Sequence, residues 1–240
     1  MDDQVSESKK SFGARMGEAT FCILYLVTLV VFLFLSTHFH NGVEGGEMFR
    51  TERVRYFFGF LLTLLLFAGD SVHLVPRIIM NIRGSIPRQN FFLGLGNLIS
   101  SITMTVFYNV LIRLGDSMEY HGEAYNLWVE QAILFLTIVR IFLLILPQNE
   151  WFSDKENRTW AWLRNAPFAM IGVLTVVGFT EVIRHASNYP TGMYVQIIVA
   201  TILSFAFYFP VVLFGKSRPQ LGMLMIPKTL CYIWMLAVIL

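Results

Sequence analysis

Seven stretches of this 240-residue chain are each long and apolar enough to carry a helix across a hydrocarbon layer, and little sequence is left between them for anything else. A layer about 30 Å thick needs roughly 20 apolar residues at 1.5 Å each. The predicted spans run from about Phe21 to Thr37, Val54 to Met80, Phe91 to Leu114, Tyr125 to Pro147, Trp160 to Ile183, Met193 to Phe214 and Leu221 to Leu240. Backbone polar groups in hydrocarbon must be satisfied internally, which leaves helices or a closed barrel. Barrel strands are shorter and alternate strictly in polarity, and these runs do neither. The expected fold class is therefore all-α, a polytopic membrane helical bundle of seven transmembrane helices. Residues 1–20 form a short cytoplasmic tail in this reading, and residues 21–240 a single domain. Charged residues make up only 14% of the chain, well below the quarter usual in soluble domains.

Lysines and arginines in short loops collect on the cytoplasmic side of a membrane. Eleven of the 18 basic residues fall on one side: Lys9, Lys10 and Arg15; Arg77, Arg83 and Arg88; Lys155, Arg158 and Arg164; Lys216 and Arg218. Five fall on the other, Arg50, Arg53, Arg55, Arg113 and Arg184, while Arg140 and Lys228 lie within spans. The amino terminus is thus predicted inside and the carboxyl terminus outside, in a multi-pass protein of the cell membrane. That orientation is the reverse of a G-protein-coupled receptor or a rhodopsin, so Lys228 is a poor retinal lysine. A cleaved leader over Lys9 to Thr37 is disfavoured, because Ser36-Thr37-His38-Phe39-His40 lacks a small-x-small cleavage pattern. Cys22 and Cys231 both fall in spans and suggest neither a disulfide framework nor a zinc motif. The net charge of +2 is too small to imply nucleic acid as a partner; the lipid bilayer is the partner the composition demands.

Polar residues recur at helical spacing within the spans. Thr63, Asp70, His73 and Arg77 share one face of the second span, a face expected to point into the bundle. Asn97, Ser101, Met104 and Tyr108 form a comparable row in the third, where Gly94 and Gly96 offer small surfaces for close helix approach. Gln196, Ala200, Ser204 and Tyr208 follow at intervals of four in the sixth, and Tyr232 stands one turn after Lys228 in the seventh. Uncharged members of such rows commonly bond helix to helix. Ionisable side chains at membrane depth are costlier and usually face a partner, a ligand or water.

Asp70, His73, Arg77, Arg140, Arg164 and Lys228 all fall in or at the edge of the cytoplasmic half. One acid stands against four bases, with His73 undecided. Arg77 and Arg164, at span ends, read as side chains that snorkel to lipid headgroups. Arg140 and Lys228 lie deeper. They call for Asp70 as counter-charge, for a lysine held neutral, or for an anionic ligand such as a phosphate, a carboxylate or a phospholipid headgroup. Pro76, Pro167, Pro210 and Pro227 fall at similar depth and are expected to loosen the backbone around an inner vestibule.

On the outer side His38, His40, His121 and His185 accompany Glu44, Glu47, Asp116, Glu119 and Glu123, with no spacing that matches a metal motif. Glu130 and Glu181 either extend a proton path or pair with Arg113 and Arg184. No nucleophile elbow, zinc-protease helix or phosphate-binding loop is present in the sequence. Gly69-Asp70 followed by Phe92-Leu93-Gly94-Leu95 resembles part of the multi-span lysoplasmalogenases, which cleave a lysolipid ether linkage. The likeness covers two short stretches of one hairpin, and that family's second aspartate-bearing span has no counterpart here. The adiponectin-receptor and ceramidase group shares the seven-span plan, but its histidine-rich zinc pattern is missing. The expected ligand-binding set is Asp70, His73, Arg77, Arg140, Arg164, Tyr208, Lys228 and Tyr232, for an anionic or lipid ligand that is bound or transported. No metal or cofactor is called. The alternatives are an intramembrane lipid hydrolase using Asp70 and His73, and a structural subunit of a membrane complex.

Overall fold

The computed structural model describes residues 12–42, 47–84, 87–118, 127–152, 158–185, 191–214 and 219–240. Seven long helices account for nearly all of them: α1 (Phe12–Gly42), α2 (Glu47–Arg83), α3 (Gln89–Ser117), α4 (Leu127–Ile145), α5 (Arg158–His185), α6 (Thr191–Phe214) and α7 (Met225–Ile239). Each is long and apolar enough to cross a membrane, α7 when taken with the turn that leads into it. α1 begins nine residues ahead of its predicted span, and the additional length places Arg15 against α2. There Arg15 donates to the carbonyls of Met80 and Asn81, at 3.2 and 2.9 Å. A cation on the carbonyls at a helix end complements the helix dipole.

Successive helices are antiparallel neighbours, and α7 returns to touch α1 and α2, closing the ring. The closest approach is between α2 and α3. A methyl group on Gly96 would lie 2.6 Å from the His73 Cα and 2.8 Å from the Val72 carbonyl, and one on Gly69 would meet Thr103 and Ser100. The small surfaces expected at Gly94 and Gly96 are used, Gly94 against the Trp151 carbonyl. The helix backs carry bare apolar side chains, Phe34 (71% exposed) and Phe135 (65%) among them, as a bundle immersed in lipid requires.

The interior has two storeys. Toward the end where α1 stops, Leu29, Leu111, Ile133, Phe179, Ile197 and Met235 belong to one dry cluster. Toward the end where α1 starts, polar and charged groups replace them. Pro76, Pro167 and Pro210 lie in helix interiors as expected, whereas Pro227 is in the first turn of its helix. A short 3-10 helix (Pro219–Leu224) leads into α7, so Pro227 sits in the first turn of α7, where the missing amide donor costs no interior bond. Pro227, directly before Lys228, thus belongs to the start of the helix rather than loosening a continuous span.

Candidate functional site

Asp70 is about 20 Å from the end of α2, counting thirteen residues to Arg83 at 1.5 Å each. Its carboxylate is held from both sides. Tyr25 on α1 donates to Oδ2 at 2.6 Å and Ser100 on α3 donates to Oδ1 at 3.0 Å. The Gly69 and Gly96 contacts bring α2 and α3 close enough for the short Ser100 side chain to reach. Ser100 was not in the predicted row. Of the predicted row, Met104 and Tyr108 do face inward, but Asn97 is exposed, and toward the start of α3 the inward face runs through Gly96 and Ser100 instead.

Lys228 on α7 is the cation that acts on Asp70 through space, yet no ion pair joins them. Its ammonium instead lies over two rings, 4.8 Å from the centroid of Tyr208 and 5.4 Å from that of Tyr232. Tyr232 meets Tyr108 of α3, hydroxyl to hydroxyl, at 3.2 Å. Asp70 and Lys228 are half-buried although they face inward from α2 and α7.

Arg140 on α4 completes the other side. Its guanidinium stacks 3.5 Å from the ring centroid of Phe168 on α5, with the Tyr208 side chain of α6 near it. Tyr208 in turn donates to the Asn165 Oδ1 at 2.8 Å, and Asn165 anchors itself on the Ala161 carbonyl at 2.7 Å. Arg140 is 1% exposed, and its Nε and Nη1 have no hydrogen-bond partner. Among the described residues no carboxylate lies within ion-pair distance of Arg140 or Lys228. All seven helices thus contribute to one polar core: Tyr25, Asp70, Ser100 with Tyr108, Arg140, Asn165, Tyr208, and Lys228 with Tyr232.

Of the eight residues expected to bind ligand, five meet in this core: Asp70, Arg140, Tyr208, Lys228 and Tyr232. His73 is one turn below Asp70 and leaves its Nδ1 buried without a partner, while Arg77 follows one turn later toward the end of α2. Arg164 is elsewhere. It was expected to snorkel, but it is 8% exposed and donates to the Asn149 Oδ1 at 3.1 Å, with its guanidinium 4.4 Å over the Trp151 ring. Asn149 donates to the carbonyls of Leu143, Leu144 and Leu146, so Arg164 steadies a side chain that caps the end of α4. Sequence reasoning missed Tyr25, Ser100 and Asn165. The latter two lay within reach of helical spacing; Tyr25 is one tyrosine in an otherwise apolar run and carried no signal.

Among the described residues, the outer ones form no comparable site. Gln196 points out of its row to accept from the Trp234 indole at 3.0 Å. Glu181 pairs with Arg184 at 2.8 Å. His38 and His40 are two apart on α1, a spacing that turns them to different faces, and His38 stacks on Phe34. No group of three potential metal ligands occurs among the described residues. Glu44, Glu119, His121 and Glu123 lie outside the described residues. No family model, curated protein or solved structure matches the chain.

Proposed function

We propose that the protein binds an anionic ligand in this core, with Arg140 and Lys228 as its positive side and Asp70 as counter-charge. Arg140 carries the proposal: a fully buried guanidinium with two unpartnered nitrogens and no described carboxylate beside it. An uncompensated ion at such depth costs several kcal/mol, and an anion between the two cations offsets that cost. Arginine suits phosphate or carboxylate oxygens, and the Tyr232 hydroxyl adds a neutral donor nearby. The ligand class is therefore a phosphate, a carboxylate or a phospholipid headgroup. The basic-residue asymmetry turns the mouth of the core, on the side where α1 starts, toward the cytoplasm of a cell membrane. Carrying the anion across that membrane is the activity such a site serves most directly.

The hydrolase reading has less to rest on. Asp70 gives its oxygens to Tyr25 and Ser100, so it does not orient His73 toward a water. Thermal melts test the anion reading, with purified protein in zwitterionic micelles containing sulfate, and in nanodiscs with and without anionic phospholipid. Chloride at equal ionic strength controls for screening. Wild-type protein is expected to gain stability in at least one arm as ligand fills the site. Arg140→Met is expected to lose that gain. An equal gain in both proteins would sink the proposal, and a gain in the lipid arm alone would identify the source as a headgroup.

A further inference from the structure

Within the anion-binding reading, the charges of the core fix what must accompany the ligand. Arg140 and Lys228 against Asp70 leave it one charge positive. A monoanion neutralises that excess with Asp70 ionised. A dianion overshoots by one, in a low-dielectric interior where a net charge is expensive. The overshoot is removed by one proton, and the core offers a place to put it. Asp70 is the only carboxylate in this core, and its oxygens are already held by neutral donors.

We infer that a dianionic phosphoryl or sulfate group enters this core together with one proton, which Asp70 takes up. The groups around Asp70 are few. α1 presents Tyr25, α3 presents Ser100 and, two turns on, Tyr108, and α7 presents Lys228 and Tyr232. On its own helix Asp70 has His73 one turn away and Arg77 beyond it. Because Lys228 is not locked to Asp70 by an ion pair, it can turn its ammonium toward an arriving anion without first breaking a salt bridge. Losing that through-space support makes the Asp70 carboxylate the group that accepts the proton. The proton stays on Asp70 while the dianion is bound and leaves with it, so no bond is made or broken in the ligand.

Calorimetric titration with sulfate tests this, since sulfate keeps its charge across the neutral range. Titrations of the full chain in micelles, at one pH and in two buffers of different ionisation enthalpy, give the protons bound per ligand. Wild type is expected to take up close to one proton per sulfate and none with methanesulfonate, its monoanionic analogue. Its sulfate affinity should rise by up to tenfold for each pH unit lowered. Asp70→Asn, which resembles the protonated acid in shape and charge, should still bind sulfate with no proton uptake and a flat pH profile. Ligand-induced infrared difference spectra of wild type should show a protonated carboxyl band, a readout that does not depend on the variant folding. Nanodiscs containing phosphatidate repeat the infrared measurement with a headgroup as the source. Sulfate binding without proton uptake, or uptake retained in Asp70→Asn, overturns the coupling and leaves the anion site standing. Failure of wild type to bind either sulfate or phosphatidate overturns both.

Discussion

The two sides of the polar core are built on opposite plans. On the α1–α3 side an acid at depth has every strong acceptor used: Tyr25 and Ser100 hold its two oxygens, and glycines press the helices together around it. On the α4–α7 side two cations have aromatic faces beneath them but no described carboxylate, and Arg140 keeps two nitrogens unbonded. The first side is closed, the second open. Arg164 supplies the internal control, because it too is a buried arginine on an aromatic ring, one that does donate to a side-chain oxygen. Burial and stacking are common to both arginines, and what separates them is whether the charge finds an acceptor within the protein. An acceptor makes an arginine part of the scaffold; its lack makes a place for a ligand.

The closed side is broken most severely by Gly96→Ala. The new methyl meets backbone atoms of α2, which cannot rotate away, so α2 and α3 must separate. We expect a loss of about 3 kcal/mol, seen as a fall of ~10 °C in a thermal melt. Arg164→Met should cost less, about 2 kcal/mol, since Asn149 keeps its three carbonyl bonds while losing the donor and the ring contact. Hydrogen exchange at the end of α4 should rise with it. Tyr25→Phe removes one of the two donors to Asp70 and is expected to cost about 1.5 kcal/mol. If Gly96→Ala melts like wild type, the closed side is looser than described, and Asp70 is not held by packing.

How much of this was legible beforehand follows from the strength of each signal. Seven spans were readable because hydrocarbon imposes one length on every apolar run, and the structure repeats them. Asp70, Arg140 and Lys228 were readable because charge at depth is rare. The inward face of α3 was legible only in its second half, at Met104 and Tyr108; in its first half a buried face more than 100° wide lets two adjacent rows both look plausible, and glycine rather than polarity chose between them. The role of Arg164 was hidden for a different reason: its acceptor, Asn149, lies in the turn after α4, fifteen residues away, and helical periodicity says nothing about turns.

Arg140→Met gives the smallest expected change in stability and the sharpest test of the comparison. Methionine keeps most of the side-chain length and its contact with the Phe168 ring while removing a charge that no described acceptor compensates. Replacing a buried ion with an apolar residue of similar volume is commonly neutral or favourable. The net expectation is a melting temperature within ~2 °C of wild type, or slightly above it, in micelles without added anion. Arg164→Met, the same chemical change on the neighbouring helix, should melt ~5 °C lower under the same conditions. The contrast depends on the arginines and not on the substitution, because both variants lose one guanidinium stacked on one ring. If Arg140→Met falls as far as Arg164→Met, the Arg140 charge is already compensated within the protein, and the open side has no vacancy for an anion to fill.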